Sequence, residues 1–435
     1  MIPQTPMRFL HASDLHLDSP LRGLDRYEGA PVARLRTATR AALERLVDLA
    51  EAERVAFVLL AGDLYDRDWQ DFHTGLFFRG QMARLDRAGI RVFIVAGNHD
   101  AQGVISRQLI LPANVTVFSS RAAHTIRIDE LGVAIHGRSF PDRAVDEDLV
   151  PSYPAPVADC FNIGMLHTSL NGRPGHDPYA PTDLATLAAK GYDYWALGHV
   201  HAREVVAEAP RIVFPGNLQG RHANETGAKG CELVTVEAGR IQADFVPLDV
   251  VRWNQVTVLL EGIDRLEALG DAFRGALTPV LAGATDRLHA VRVTLRGATA
   301  LHQLEAQQPG TLAAAVQAAA QDVGGTEIWI EQVRLALTTP LDRTQAAQRQ
   351  DAVGELIRLV DAIAAGDAEL ARFADAELGD LLRALPAEVV AGAATGDMLH
   401  LDSEGKPDDP ADLRALLADA EATVLARLAA AADSA

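Results

Sequence analysis

Cysteine is almost absent from this 435-residue chain: Cys160 and Cys231 stand alone and far apart. Neither a disulfide framework nor a thiolate metal site follows from two such residues, which suit a reducing, cytoplasmic setting. Long apolar runs are missing as well. The apolar stretches are strand-sized and end in polar motifs, short of the roughly 20 residues a membrane-spanning helix needs, so a soluble protein without membrane contact is expected. The opening MIPQTPMRFLHASDLHL has no basic region followed by an apolar core, so no export signal is expected there. Positive charge is in deficit. A formal net charge of −19 argues against a generic polyanion-coating role, because repulsion from phosphates opposes non-specific association. It leaves room for a nuclease, in which bound dications neutralise part of the site and a local basic rim coexists with an acidic remainder. There is no internal repeat, and an Ala-rich tail is the only biased segment.

What the chain does have is length and apolar content: 48% hydrophobic residues over 435 positions predict two or three folded units with a large core. Up to about Pro247, short apolar runs alternate with helical spacing. Leu35, Thr39, Ala42, Leu46 and Leu49 predict a helix. Arg8–Ala12, Val55–Ala61, Arg91–Ala96, Val133–His136, Phe161–Leu166 and Tyr192–Leu197 predict strands. A boundary is expected near Leu248–Trp253. Beyond it come a strand at Val256, a helix on Leu266, Leu269, Phe273 and Leu277, and a strand with Val291, Val293 and Leu295. A helical stretch broken at Pro309-Gly310 and a strand over Ile328–Leu337 complete a β-α-β-α-β pattern. From about Pro340 the spacing is helical again, on Val353, Leu356, Val360 and Ile363 and then on Leu413, Leu416, Ala420 and Val424, with a loop over Gly392–Pro410 between them. The expected domains are therefore 1–250, catalytic; 251–340, a small α/β cap; and 341–435, helical.

Five polar clusters follow the strands: Asp14-Leu15-His16, Gly62-Asp63, Gly97-Asn98-His99-Asp100, His167, and Gly198-His199-Val200-His201. A single aspartate after a strand is commonly a turn or cap residue; the ordered set carries more. In open α/β sheets, residues beyond the carboxyl ends of strands converge on one site. The types suit a dinuclear centre: carboxylates bridge two cations, neutral imidazoles fill each shell, and an amide oxygen adds a ligand without more charge. Such donors favour hard or borderline metals, Mn²⁺ first, with Fe or Zn²⁺ as alternatives. A spacing of two, as in Asp14 and His16 or His199 and His201, lets side chains of an extended segment or turn reach one centre.

In that order, DLH, GDxxD, GNHD, a lone His and GHxH resemble the calcineurin-like metallophosphoesterases over roughly the first half of the chain. HASDLHLDSP and PGNLQGRHANETGAKG are most similar to the YhaO-type proteins, relatives of the SbcD-like DNA repair nucleases. The resemblance implies a layered α-β-β-α sandwich. It implies Asp14, His16, Asp63 and His201 around one divalent metal ion, with Asp63 bridging to a second whose shell is completed by Asn98, His167 and His199. His99 then corresponds to the non-ligand histidine near the scissile phosphate, with Asp66 orienting and charging it. Two cations about 3.5–4 Å apart acidify a bridging water and clamp phosphoryl oxygens during in-line attack.

Arg221, His222 and Lys229 sit in a Gly-rich segment that could hold a phosphate or a nucleic-acid backbone, or could be a structural turn. Tyr65, Trp69, Phe72, Phe77 and Phe78 have near-helical spacing, which suits core packing before a homodimer surface or a base platform. His11, His73, His124, His136, His176, His289, His302 and His400 have no matched partners, and His11 reads as a hydrogen-bonded core residue. The leading functional expectation is a metal-dependent DNA exo- or endonuclease of a repair-type assembly. An SbcC-like coiled-coil ATPase partner is implied by the resemblance alone. The alternatives are a small-nucleotide phosphodiesterase or phosphatase, and a non-enzymatic scaffold subunit.

Overall fold

Alternation within the central strands dictates the layering. In Phe57–Ala61 (β2), Phe57, Leu59 and Ala61 belong to one apolar cluster, while Val58 and Leu60 belong to another. Arg91–Val95 (β3) repeats this with Phe93 and Val95 against Val92 and Ile94. A strand apolar on both faces must be covered on both. The computed structural model, which describes residues 6–20, 29–66, 72–101, 109–172, 178–323, 327–384 and 409–432, shows how this is achieved.

Met7–Ala12 (β1), β2, β3 and Val115–Val117 (β4) run parallel, and Gly230–Glu237 (β11) and Arg240–Pro247 (β12) extend the sheet in the order β12-β11-β1-β2-β3-β4. A second six-stranded sheet has the order β5-β6-β7-β8-β10-β9. Its strands are His124–Ile128 (β5), Val133–Gly137 (β6), Phe161–His167 (β7), Tyr194–Gly198 (β8), Glu204–Glu208 (β9) and Arg211–Phe214 (β10). The sheets share a core of Phe9, Phe57, Phe93, Ile163, Met165 and Tyr194, in which Phe9 stacks on Phe57 with ring centroids 5.0 Å apart. Burying each such aromatic contributes about 1.5–3 kcal/mol. Helices Val32–Ala52 (α1) and Phe72–Arg87 (α2) cover the outer face of the first sheet through Leu43, Leu46, Phe78 and Met82. On the outer face of the second lie Trp195, Leu197, Tyr153 and Leu187, the last on helix Leu184–Ala189 (α3). The architecture is a mixed α/β sandwich of four layers, α-β-β-α.

The chain divides into two compact units, and the first takes in residues 283–291 and 326–331 as well as 1–254. Leu288, Ala290 and Trp329 from those later stretches pack with Leu35, Ala38 and Trp253. Three strands, Val251–Leu259, Leu288–Ala298 and Glu327–Thr338, form a sheet in chain order. In the second unit Leu266–Leu281 packs with Thr311–Gln321, and the helices Ala352–Ala364, Asp367–Arg383 and Pro410–Ala432 pack around Ile363, Leu370, Ala374 and Leu413. No helix among the described residues is long and apolar enough to cross a membrane.

Parallel strands end at the same edge, so β1, β2 and β3 in one sheet and β7 and β8 in the other deliver their carboxyl ends to one rim. The sheets close tightly there. A Cβ on Gly198 would lie 1.9 Å from the Ala61 carbonyl oxygen, and one on Gly62, at φ +96°, would lie 2.3 Å from His167 Nδ1. Gly198→Ala is expected to destabilise the fold by an amount at or above the top of the about 1–3 kcal/mol usual for overpacking, because backbone stands in the way. A denaturation midpoint equal to that of the wild-type chain would refute this.

Between the sheets His11 is fully buried, with Nε2 3.1 Å from the Leu197 carbonyl and Nδ1 3.0 Å from the Tyr194 hydroxyl. The carbonyl can only accept, so Nε2 donates and Nδ1 receives the Tyr194 proton. Burial lowers the ring to about 3 despite the bond to Leu197. The unfolded chain therefore takes up a proton near pH 6.5 that the folded chain refuses until about pH 3. Stability from this group is complete above pH 6.5 and is lost as pH falls below it, by at most about 1.4 kcal/mol per unit. In urea titrations between pH 6.5 and 5, His11→Asn should show a shallower acid limb than the wild type; parallel limbs would show that the ring does not act this way.

Candidate metal centre

The loops after β1 and β2 run side by side: Asp14 N donates to Gly62 O at 2.9 Å, His16 N to Asp63 O at 3.0 Å and Leu17 N to Leu64 O at 3.0 Å. This pairing sets Asp14 and His16 beside Asp63. Asp14, His16, Asp63 and His199 all have positive φ, at 52°, 42°, 53° and 102°. L-residues rarely adopt that region, and it concentrates at sites where surrounding structure fixes it for function. Asp100 supplies part of the fixing by accepting from the backbone N–H groups of Leu64, Tyr65 and Gly97. Burial and the neighbouring Asp63 raise its carboxyl to about 7.

Three overlapping clusters result: Asp14, His16 and His201; His16, Asp63 and His99; and Asp63, His167 and His199, in each of which the ligand atoms lie within 4.8 Å of one another. Asn98 joins the third, its Oδ1 3.0 Å from His167 Nε2. All seven ligands expected from the sequence are thus brought to one rim. The His99 ring stands edge-on to His16, with centroids 4.8 Å apart, and its backbone N–H donates to Asp63 Oδ1 at 2.9 Å.

Hydrogen bonds behind the cluster fix the imidazole tautomers. His16 Nδ1 is 3.1 Å from Asp66 Oδ1, His201 Nδ1 is 2.7 Å from Glu225 Oε1, and His167 Nδ1 is 2.9 Å from the Ala61 carbonyl. Burial would raise both carboxyls, but bonds from His16 and His99 hold Asp66, and bonds from His201 and Arg221 hold Glu225, well below the usual range. All three acceptors therefore take a ring proton, which leaves Nε2 of His16 and of His201 as a lone pair. These two face each other at 3.2 Å, while Nε2 of His167 faces Asp63 Oδ2 at 3.5 Å. Buried lone pairs at such distances repel unless a cation lies among them. Burial lowers His16 to about 4, so it stays neutral. Burial also lowers His167, but Asp63 and Asp14 outweigh that and raise it to about 9. The site calls for positive charge, and divalent ions fit its nitrogen and oxygen donors.

Asp66 serves two rings: His99 Nδ1 lies 3.0 Å from the same Oδ1 that faces His16, and Ser19 Oγ donates to Oδ2. Of Arg221, His222 and Lys229, only His222 is exposed, with 58% of its side chain accessible. Arg221 is held by Glu225 at 3.0 Å. Lys229 requires a correction: it is buried, and its Nζ donates to the His201 carbonyl at 2.7 Å, so it braces the GHVH loop instead of facing a phosphate. Tyr65 and Phe78 are core residues, 5.9 Å apart between centroids, Phe77 is partly buried and Phe72 is half exposed. Trp69, His176 and His400 lie outside the described residues. The sequence places Asp100 in the GNHD cluster without a role for it and does not single out Glu225, although Glu225 is the lone acid of a Gly-rich run.

The calcineurin-like phosphoesterase pattern matches residues 7–203, which hold all seven candidate ligands, His99 and Asp66. Residues 7–203 belong to the calcineurin-like phosphoesterases. The phosphoesterase domain is followed by residues 253–338, which match the middle domain of metallophosphoesterase YhaO. The uncharacterized metallophosphoesterase YhaO of Bacillus subtilis (strain 168) is 39% identical over 269 residues, a match spanning 61% of this chain and 66% of that relative, just under two thirds of its length. Among solved structures, a dimetal phosphatase from Danio rerio is 14% identical with a TM-score of 0.36, over 57% of this chain and 97% of its own. A protein from Thermus thermophilus is 14% identical with a TM-score of 0.31, over 55% and 99%.

Proposed function

We propose that the chain is a phosphodiesterase using two divalent cations, Mn²⁺ by preference, and that its substrate is DNA, hydrolysed within a repair-type assembly. The observation that carries the hydrolytic part is the convergence of imidazole nitrogens on Asp14 and Asp63 in a buried rim. Asp14, His16 and His201 would hold one ion, Asp63, Asn98, His167 and His199 the other, with Asp63 shared. A cation pair held there would supply Lewis acidity toward water and phosphoryl oxygens. The chain does the rest. With Nδ1 3.0 Å from Asp66, His99 as an imidazolium would carry its second proton on Nε2, the atom that gives a proton to the leaving oxygen or stabilises its charge. Asp66, ionised, favours that charged form of the ring. No side chain needs to become a covalent nucleophile.

DNA is supported by the similarity of His11–Pro20 and Pro215–Gly230 to the YhaO-type proteins, read as relatives of the SbcD-like nucleases, and by Arg221 beside the centre, its Nη1 3.9 Å from Asp66. A small-nucleotide phosphodiester is the second reading. It is favoured by the net charge of −19 and by the occupation of Lys229 and Arg221 with internal partners. Turnover of single-stranded DNA, duplex DNA, cyclic nucleotides and phosphomonoesters by the Mn²⁺-loaded full chain separates the two. Metal-dependent cleavage of DNA is expected; turnover confined to small molecules would replace the first reading with the second.

A further inference from the structure

Glu225 lies outside the phosphoesterase-domain match, yet it is the residue on which His201 rests. Its buried carboxylate accepts from His201 Nδ1 at 2.7 Å, Asn217 Nδ2 at 2.9 Å, Arg221 N at 2.7 Å and Arg221 Nη2 at 3.0 Å. Arg221 Nη2 is also 3.3 Å from His201 Nδ1. A guanidinium is only a donor, and cannot lose its proton in a protein. So the same ring nitrogen has two suitors of opposite kind. Glu225 requires Nδ1 to carry the proton, whereas Arg221 alone would require Nδ1 to be bare, which moves the proton to Nε2 and points it at His16 Nε2, 3.2 Å away.

Resting on the two-cation reading above, we infer that Glu225 is a positioning residue that selects the His201 tautomer against Arg221, so that cation binding at Asp14, His16 and His201 depends on it while binding at Asp63, His167 and His199 does not. The asymmetry follows from the geometry: His167 gives its Nδ1 proton to the Ala61 backbone carbonyl at 2.9 Å, which no substitution at Glu225 removes. Glu225 and Arg221 thus form a set whose balance decides whether one half of the centre presents a lone pair or an N–H.

The test is Mn²⁺ titration of the full chain, followed by calorimetry, with the His201 tautomer read from imidazole ¹⁵N shifts of the metal-free protein. The wild type should bind two ions and carry the His201 proton on Nδ1. Glu225→Ala should keep one site at wild-type affinity, weaken the other by about 10–100-fold and move the proton to Nε2. Adding Arg221→Met to Glu225→Ala should restore part of the lost affinity, a rescue that mere damage to the loop would not give. Glu225→Gln, which keeps an acceptor oxygen and the volume, should fall between and serves if the alanine variant folds poorly. Unchanged affinities in Glu225→Ala, equal weakening of both sites, no recovery in the double variant, or a wild-type His201 protonated on Nε2 would each overturn the inference. Failure of the wild type to bind Mn²⁺ would instead remove the two-cation reading, and the tautomer in wild type and variants would still decide the role of Glu225.

Discussion

Asp63→Asn is expected to empty the centre and abolish hydrolysis together. Asp63 is the one carboxylate in two of the three clusters, its Oδ2 3.5 Å from His167 Nε2 and 3.9 Å from His16 Nε2 while Oδ1 accepts the His99 N–H at 2.9 Å. Asparagine keeps the shape and removes the charge, and its amide group would face the imidazole lone pairs with nothing to bridge two ions. Losing several kcal/mol of charge stabilisation corresponds to a fall in turnover of at least about a thousandfold. Metal analysis beside turnover of the purified variant checks both parts. Wild-type turnover from an Asp63→Asn sample free of wild-type protein would remove the carboxylate from the mechanism.

His99→Ala should separate what Asp63→Asn joins. The ring goes, but the backbone N–H that holds Asp63 Oδ1 remains, and the ring is in none of the ligand roles assigned to the other histidines. Both cations should stay bound while turnover drops by about a hundredfold to ten-thousandfold, the range for a lost general acid or base. The loss should shrink for a substrate with a good leaving group such as p-nitrophenolate, which leaves without a proton. A loss equal for good and poor leaving groups, or one accompanied by metal loss, would show that His99 acts through the ligands and not on the substrate.

How far the sequence alone reaches is set by burial. The central strands β1, β2, β3, β7 and β8 are apolar on both faces, so their runs stand out and the polar residues after them are placed by the parallel topology; hence the ligands are legible. Strands β5, β9 and β12 are only partly buried, and β11 carries the buried Glu232 paired with Arg203 and Arg211, which breaks the pattern a reader of hydropathy relies on. Lys229 was misread for a related reason: a lysine in a Gly-rich turn looks solvated, and only the fold reveals the His201 carbonyl that takes its proton. Glu225 shows the complementary limit. Its partners lie 24 residues back at His201 and 8 back at Asn217, and no local spacing encodes that meeting.

Everything functional rests on these side chains gathering two cations. Crystals of the full chain soaked in Mn²⁺, with anomalous difference maps collected at an energy where manganese scatters, test this most directly. Two peaks are expected, one among Asp14, Asp63, His16 and His201 and one among Asp63, Asn98, His167 and His199. A single peak away from these residues, or none at saturating Mn²⁺, would contradict the two-cation centre.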